Sequence, residues 1–409
     1  MISKILKLTL FLALISGLAG AQVKIASYNL LGYPGTDTTT RNPYFRTVVT
    51  AMSPDILVIQ EITSQAGING FLNGVMNYNG SNYGTGTFID GPDTDNGIFF
   101  KTAIYAFISN TPIHTALRDI NEFKLVHLPD HDTLRIYSVH LKASTGSANE
   151  LSRGAEVDSL RKVTNALPAN AHFIVCCDFN IYKSTEPAYQ KLLEITAGNG
   201  NFNDPLTLVG TWNTSGYSIY HTQSTRTRSF GGGATGGLDD RFDMILYSTA
   251  IKNGTGLTYV ANSMTPYGND GNHYNDSINK PPNSAVTQSV ANALHYASDH
   301  LPVYALFSYP AVGVGLINSQ VPSMFTMYQN YPNPFNNSCV IKFDLPHSTF
   351  VNLRIYNSLW QVIETLVNNN LSAGSYSVQW DAVDSPSGVY FYQANLDGVV
   401  YTKRMLLVK

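Results

Sequence analysis

The chain reads as a layered α/β domain followed by a small all-β sandwich, and three observations predict this. Six short apolar runs of strand length end in or beside polar residues: 23–29 at Asn29, 55–61 at Glu61, 134–140 at His140, 172–180 at Asp178 and Asn180, 241–247 at Asp243, and 297–303 at Asp299 and His300. Between them, 45–52 and 151–167 carry apolar residues at helical spacing, the first stopped by Ser53 and Pro54. Beyond about residue 326 the composition changes to alternating strands punctuated by Gly and Pro turns.

With 409 residues, 44% of them apolar, the chain is long enough for two or more domains with real cores. At the N-terminus, Lys4 and Lys7 precede the apolar stretch Leu8 to Leu18, and Ala19-Gly20-Ala21 offers small residues for cleavage. Residues 1–21 are therefore expected to be a secretory signal peptide. That stretch is too short to span a bilayer, and no later segment approaches the roughly 18 uninterrupted apolar residues a spanning helix needs. Export without a transmembrane anchor is the expectation.

The six runs make up a domain expected over 22–309. A strand buried on both faces has no use for a carboxylate or imidazole, because burying one unpaired costs several kcal/mol. Polar groups repeated at strand ends gather instead on one rim of a sheet, where layered α/β proteins build active sites. Carboxylates, amides and two histidines converging there point to a metal-assisted catalytic centre. Cys176 and Cys177 are adjacent in one strand, so their side chains should face opposite ways, and Cys339 is distant; no disulfide framework is expected.

Two loops stand out. Residues 199–240 are long and glycine-rich, with Gly231-Gly232-Gly233 and Gly236-Gly237, and loops of that length in a compact domain are usually functional or disordered. Residues 267–282 form a second polar loop upstream of Asp299. Between residues 23 and 310 there are 18 basic and 23 acidic side chains, a net of −5. A protein that held nucleic acid through bulk charge would be basic, so such binding would rest on a local positive track.

Residues 310–326 carry no periodic signal and read as a linker. From 327 to 409, strands at 339–343, 351–356, 376–380 and 389–394 describe a small, immunoglobulin-like sandwich.

Taken together, Gln-Glu61, Ser-Val-His140-Leu-Lys, Asp178-Phe-Asn180 and Ser-Asp299-His300-Leu-Pro resemble the endonuclease/exonuclease/phosphatase superfamily, the deoxyribonuclease I-like fold, over roughly residues 23–308. The resemblance implies a four-layer sandwich of two packed mixed β-sheets flanked by helices. It also implies hydrolysis of phosphoesters with Mg²⁺, or Mn²⁺ or Ca²⁺, since hard oxygen ligands suit these ions. Glu61 would be the main metal ligand, with Asn29 as a neutral oxygen donor and Asp299 as a further contact. His300 would be the general base, oriented by Asp243, unless Asp243 instead pairs with Arg241. Asp178 would orient the attacking water or touch metal. Asn180 would hold a phosphate oxygen, sharing a face with Asp178 if the strand continues through Phe179. His140 would donate a hydrogen bond to the phosphate or protonate the leaving oxygen.

Arg118 matches a phosphate-binding arginine of deoxyribonuclease-like members, and Arg226 and Arg228 are candidate substrate clamps because a guanidinium fits phosphate oxygens bidentately. His221 and His273 lie in the two long loops, within possible reach of substrate. One departure is Thr94-Asp95-Asn96-Gly97, where the family can carry an additional glutamate; it leaves a partner of His140 unassigned.

The tail resembles the C-terminal sorting domain of the type IX secretion system through Gln329-Asn330-Tyr331-Pro332-Asn333-Pro334-Phe335-Asn336, Ala373-Gly374, Gly388-Val389-Tyr390 and the terminal Met405-Leu406-Leu407-Val408-Lys409. It departs at Trp360-Gln361, where glycine usually precedes the glutamine. An adhesive or spacer domain is the alternative.

The expectation is a secreted or surface-held, monomeric, metal-dependent phosphodiesterase, foremost an endonuclease acting on extracellular nucleic acid, exported by the type IX machinery. A sphingomyelinase-like or other small phosphodiester or phosphomonoester hydrolase is the alternative, though residues 71–83 show scattered aromatics and no membrane-seeking stripe. An inactive surface adhesin is the other alternative, although decay should have removed a base or ligand and none is missing.

Overall fold

The computed structural model describes residues 22–409 except 36, 129–131, 255, 310–314, 319–320, 384 and 397, so the expected signal peptide lies outside the described residues. Contacts divide the chain into two units, Ala21–Tyr309 and Pro310–Lys409.

In the first unit the strands are β1 (Gln22–Tyr33), β2 (Ile56–Ile62), β3 (Tyr83–Thr85), β4 (Asp95–Lys101), β5 (Tyr105–Ile113), β6 (Ile120–His127) and β7 (Thr133–His140). They continue with β8 (His172–Asp178), β9 (Phe202–Asn203), β10 (Asp243–Ser248), β11 (Thr258–Tyr259), β12 (Thr265–Pro266) and β13 (Val303–Ser308). The principal helices are α1 (Thr38–Met52), α2 (Gln65–Phe71), α3 (Ser147–Thr164), α4 (Pro187–Leu193), α5 (Thr249–Asn253) and α6 (Gln288–Ala297). One sheet has the order β11-β13-β1-β2-β4-β3, with β12 on β13; the other is β5-β6-β7-β8-β10-β9. Both are mixed: β1–β2 and β7–β8 run parallel and the remaining pairs antiparallel.

Alternation along the strands places the core. Ile25, Ile56 and Val58 join Ile136, Ile174 and Ile245 in a core between the sheets, while Val175 and Leu246, on the other face of the second sheet, belong with Val157 and Leu160 of α3 and Ala188 and Leu192 of α4. The next residues along the first sheet, Ala26, Tyr28, Leu57 and Ile59, face the other way, onto Phe45 and Val49 of α1, Ile68 of α2 and Leu294 of α6. Apolar residues on both faces of a strand explain the near-continuous apolar runs. The domain is thus a four-layer sandwich. Helix α1 starts at Thr38 rather than Phe45 because the buried residue of its first turn is Arg41, which no apolar pattern reveals. It ends as expected, with Ser53 left-handed at φ 48° before Pro54.

Cys176 and Cys177 depart from the expected geometry. Cys177 has φ 110°, outside the strand region, and the two buried thiols lie 3.4 Å apart instead of on opposite faces. Both are free, as is Cys339.

The second unit is built from β14 (Gly315–Asn318), β15 (Thr326–Met327), β16 (Ser338–Leu345), β17 (Thr349–Tyr356), β18 (Val362–Leu371), β19 (Gly374–Asp381), β20 (Gly388–Leu396) and β21 (Val399–Leu407). Two four-stranded sheets, β14-β19-β16-β15 and β18-β17-β20-β21, share a core that includes Ile341, Phe343, Leu353, Trp380 and Tyr392. Residues 315–318, inside the stretch expected to be a linker, are instead a strand paired with β19. Trp360 stands where the tail pattern carries glycine and adopts the left-handed backbone, φ 61°. Its ring stacks on Phe391 at 4.9 Å, a contact that offsets a conformational cost of about 1 kcal/mol. Among the described residues no helix is long and apolar enough to cross a membrane.

Candidate active site

Strand register assembles the site. Parallel pairing of β7 with β8 sets His140 beside Asp178, and antiparallel pairing of β8 with β10 sets Asp243 on the other flank of Asp178. Three adjacent strands of one sheet therefore present His140, Asp178 and Asp243 in a row, at the roughly 4.8 Å spacing of paired strands. In the other sheet, parallel β1 and β2 carry Asn29 and Glu61 at the irregularity where their register shifts, and the segment leading into β13 supplies Asp299 and His300.

The two rims meet in one open cavity of about 440 Å³, lined by Glu61, His140, Asp178, Asn180, Asp299 and His300, with Leu31, Ala143, Ser144, Tyr182, Gln223, Gly233, Ala234 and Phe242. A larger cavity of about 650 Å³, beside Pro112, Glu122 and Lys162, gathers no comparable polar groups.

His300 Nδ1 lies 2.8 Å from Asp243 Oδ2. Arg241, the rival partner for Asp243, is taken by Asp204 at 2.9 and 3.0 Å. The Thr222 hydroxyl accepts the backbone N–H groups of Phe242 and Asp243, fixing the strand end. Burial disfavours protonation of His300, but the carboxylates of Asp243 and Asp178 outweigh it and hold the imidazole well above its ordinary value. His140 is the opposite: burial, then the charges of Arg118 and His300, hold it well below. Its Nε2 faces Asp178 Oδ2 at 3.5 Å and Glu61 Oε1 at 3.9 Å, while its Nδ1 is buried without a partner. Asp95, in the segment where the family can carry an additional glutamate, accepts the Gly91 N–H instead.

Glu61 is left-handed at φ 56°, and Gly32 N–H donates to its Oε2 at 3.0 Å. Asn29 turns its amide nitrogen, not its oxygen, toward Glu61 (2.9 Å) and Asp178 (3.3 Å), while its oxygen accepts the Leu31 N–H. In this orientation it steers carboxylates, and ligating a metal would require the amide to turn over. Asp299 Oδ2 accepts the Ala234 N–H at 2.6 Å, so the glycine-rich loop is folded onto the site as one of its walls.

The sequence profile of the "Endonuclease/Exonuclease/phosphatase family" matches residues 26–300. The chain belongs to that family. Its members are hydrolases of phosphodiesters and phosphomonoesters and generally depend on divalent metal. Residues 329–409 match the "Secretion system C-terminal sorting domain", which marks a protein for export by the type IX machinery. Solved structures that resemble the chain include truncated Caenorhabditis elegans TDP2, at 17% identity and TM-score 0.46 over 70% of this chain and 97% of that one. The human Nocturnin catalytic domain with bound sulfate gives 20% and 0.46 over 71% and 95%. An endonuclease/exonuclease/phosphatase from Bacteroides vulgatus gives 10% and 0.47 over 71% and 100%. Comparison with curated proteins gives no significant match.

The donor set suits the metal on which the family generally depends. Glu61, Asp178, Asp243 and Asp299 crowd carboxylates into a mostly buried site, and Asp243 Oδ1 has no partner there. Burial pushes the Asp178 carboxyl up; His300 pulls it down, and Asp243 and Glu61 add to the rise. A cation would relieve this crowding. Among the described residues no three His, Cys, Asp or Glu side chains form a ready-made cage. Mg²⁺ needs none, since it keeps several waters and binds through one or two carboxylates.

Several expected contacts are not made. Strand β8 stops at Asp178, and Asn180 reaches the cavity through a left-handed turn, φ 50°, with its amide donating to Leu141 O at 3.2 Å. Arg226 is not at the mouth: it is 1% exposed and its guanidinium donates to the Phe230 carbonyl, propping the loop from within. Arg228 is exposed, outside the lining of the cavity. Arg118 sits behind His140, donating to its carbonyl at 3.4 Å and pairing with Asp93 at 2.7 Å. His221 and His273 are buried and bonded to the Trp212 and Lys280 carbonyls, so neither faces the cavity.

Conversely, three residues that carried no sequence signal of function organise the site. Arg41 donates to the carbonyls of Leu30, Leu31 and Ala297, tying the end of β1 to the segment before Asp299. Gln223 touches both Asp299 and His300. Tyr182 lines the cavity with its ring edge-on to Phe242 at 4.9 Å.

Proposed function

We propose that the protein is a secreted, divalent-metal-dependent phosphodiesterase, an endonuclease that cuts extracellular nucleic acid. One observation carries the reading: the His300–Asp243 pair, 2.8 Å apart, faces Glu61, Asp178 and Asp299 across a single open cavity. Phosphodiester hydrolysis needs a water deprotonated on one side of phosphorus and negative charge neutralised on the other.

In its neutral form His300 takes the proton of the attacking water at Nε2, and Asp243 fixes the tautomer from behind. Asp178, between the two histidines, helps aim that water. Asn180 donates its free amide hydrogen to a phosphate oxygen, and His140 donates Nε2–H to the same phosphate or to the leaving oxygen. Glu61 and Asp299, with Asn29 beside them once its amide is turned over, would hold Mg²⁺, or Mn²⁺ or Ca²⁺, which would neutralise charge on the phosphate. The cavity is open to solvent, as a polymeric substrate requires. Positive charge for nucleic acid would come from Lys142, two positions beyond His140, and from exposed Arg228 on the loop outside the cavity, since Arg118 is paired with Asp93. The sorting domain supports release outside the cell or retention at the outer surface.

The test is incubation of the exported protein with plasmid DNA, RNA, sphingomyelin and a phosphomonoester, with each metal and with EDTA, beside a His300→Ala variant. Metal-dependent nicking lost in the variant supports the proposal. Cleavage confined to sphingomyelin or the monoester replaces the nuclease reading with the small-substrate one, and folded protein inert toward all of them restores the adhesin.

A further inference from the structure

We propose that Gln223 is a positioning residue that aims the attacking water at phosphorus while His300 removes its proton. The inference rests on the hydrolytic reading above and adds a residue to it.

The backbone of Gln223 is pinned on both sides. Its carbonyl accepts the N–H groups of Asp239 and Asp240 at 2.9 and 3.0 Å, and it bridges His300 in antiparallel fashion. Its neighbours are fixed too: Leu301 N–H donates to Thr222 O at 2.7 Å, and Thr225 N–H to Asp299 O at 3.1 Å. From this base the side chain projects into the cavity, where its amide nitrogen lies 2.5 Å from His300 Nε2 and 3.5 Å from Asp299 Oδ2.

The position decides the role. Asp243 occupies Nδ1 of His300, so Nε2 is the ring atom left to accept a proton, and Gln223 contacts that atom. A water that reacts there must displace the amide from Nε2. The displaced amide, carried on its pinned backbone, still offers a carbonyl that accepts and an N–H that donates. A water held by two partners presents a lone pair in one direction, the service a glutamine performs in some phosphoryl-transfer sites. In the step itself, one proton passes from water to Nε2, the water oxygen forms the new P–O bond, and the leaving oxygen departs with the electron pair of the bond that breaks.

The test compares Gln223→Met, which keeps the length and loses both hydrogen bonds, with Gln223→Glu, which keeps an acceptor. Full-length proteins are assayed on plasmid DNA and on bis(4-nitrophenyl) phosphate across a Mg²⁺ titration that extends well past saturation of the parent, with melting temperatures measured alongside. Gln223→Met should lower kcat on the order of 10- to 100-fold with KM within about twofold and the melting temperature unchanged, and Gln223→Glu should recover most of the loss. The inference is overturned if kcat of Gln223→Met stays within about twofold of the parent, if the loss lies in KM, or if more Mg²⁺ restores it. The last result would mean that Gln223 only buttresses Asp299. An active parent with any of these results sinks the role of Gln223 alone; a parent inactive on every phosphoester sinks the hydrolytic reading and this role together.

Discussion

His300 Nδ1 and Asp243 Oδ2 meet at 2.8 Å although Asp243 opens β10 of one sheet and His300 lies in the segment leading into β13 of the other, and Asp243 keeps its second oxygen buried and unpartnered. A carboxylate so placed selects the imidazole tautomer with Nε2 free. Asp243→Asn retains the shape but offers an amide in place of the acceptor. Phosphodiester cleavage should fall by about 10²–10⁴ with the far-ultraviolet circular dichroism unchanged, as measured by initial rates on plasmid DNA.

Glu61 should report metal directly, without turnover. If it is the main ligand, Mg²⁺ at about a hundredfold over its Kd should stabilise the native chain by about 2.7 kcal/mol. A thermal melt with and without the ion should show the rise, and Glu61→Gln should remove it. An unchanged rise in the variant would move the binding site elsewhere.

Two adjacent glycines separate backbone strain from site geometry. A methyl group at Gly232, φ 94°, meets nothing within 4 Å, whereas at Gly233, φ 79°, it would lie 2.7 Å from Asp299 Oδ2 and 2.9 Å from Leu31 Cδ1. Gly232→Ala should cost about 1 kcal/mol of stability and spare activity. Gly233→Ala should cost more and, by displacing Asp299, lower turnover as well. Urea unfolding and rate measurements on both variants check the contrast.

Asp95 is 5% exposed with one oxygen unpartnered, and burial, eased by the Gly91 N–H and reinforced by Asp90, Asp119 and Asp93, pushes its carboxyl up to about 6. A raised acid binds its proton more tightly in the folded state. Stability is therefore fullest below the unfolded value near 3.8 and declines as pH rises toward 6. Asp95→Asn should stabilise the protein by about 1–2 kcal/mol at pH 7–8, a gain that disappears below about pH 4. Melting curves across that range would show it, and a pH-independent difference would contradict it.

Much of the site was legible because strand ends are local. Asn29, Glu61, His140, Asp178 and Asp243 each close or open an apolar run, and the pairing register, which the structure supplies, brings His140, Asp178 and Asp243 side by side. The ordered set of motifs also identified the layered fold and the sorting tail. Loops were less legible. Arg226 and Arg228 are two residues apart in one glycine-rich segment, yet one is buried against Phe230 and the other exposed. His221 and His273 likewise turned inward to backbone carbonyls. Residue type indicates what a side chain can bind, but not which way an irregular backbone turns it.

The sequence alone determined the strands, the polar groups at their ends and the address on the tail, because apolar periodicity and short motifs are encoded within a few residues. Only the tertiary structure decided that Asp243 serves His300 rather than Arg241, that Arg118 stands behind His140, and that Gln223 reaches the imidazole from a loop 77 positions away. These choices depend on packing between the sheets and on hydrogen bonds across long sequence separations, so no local pattern carries them.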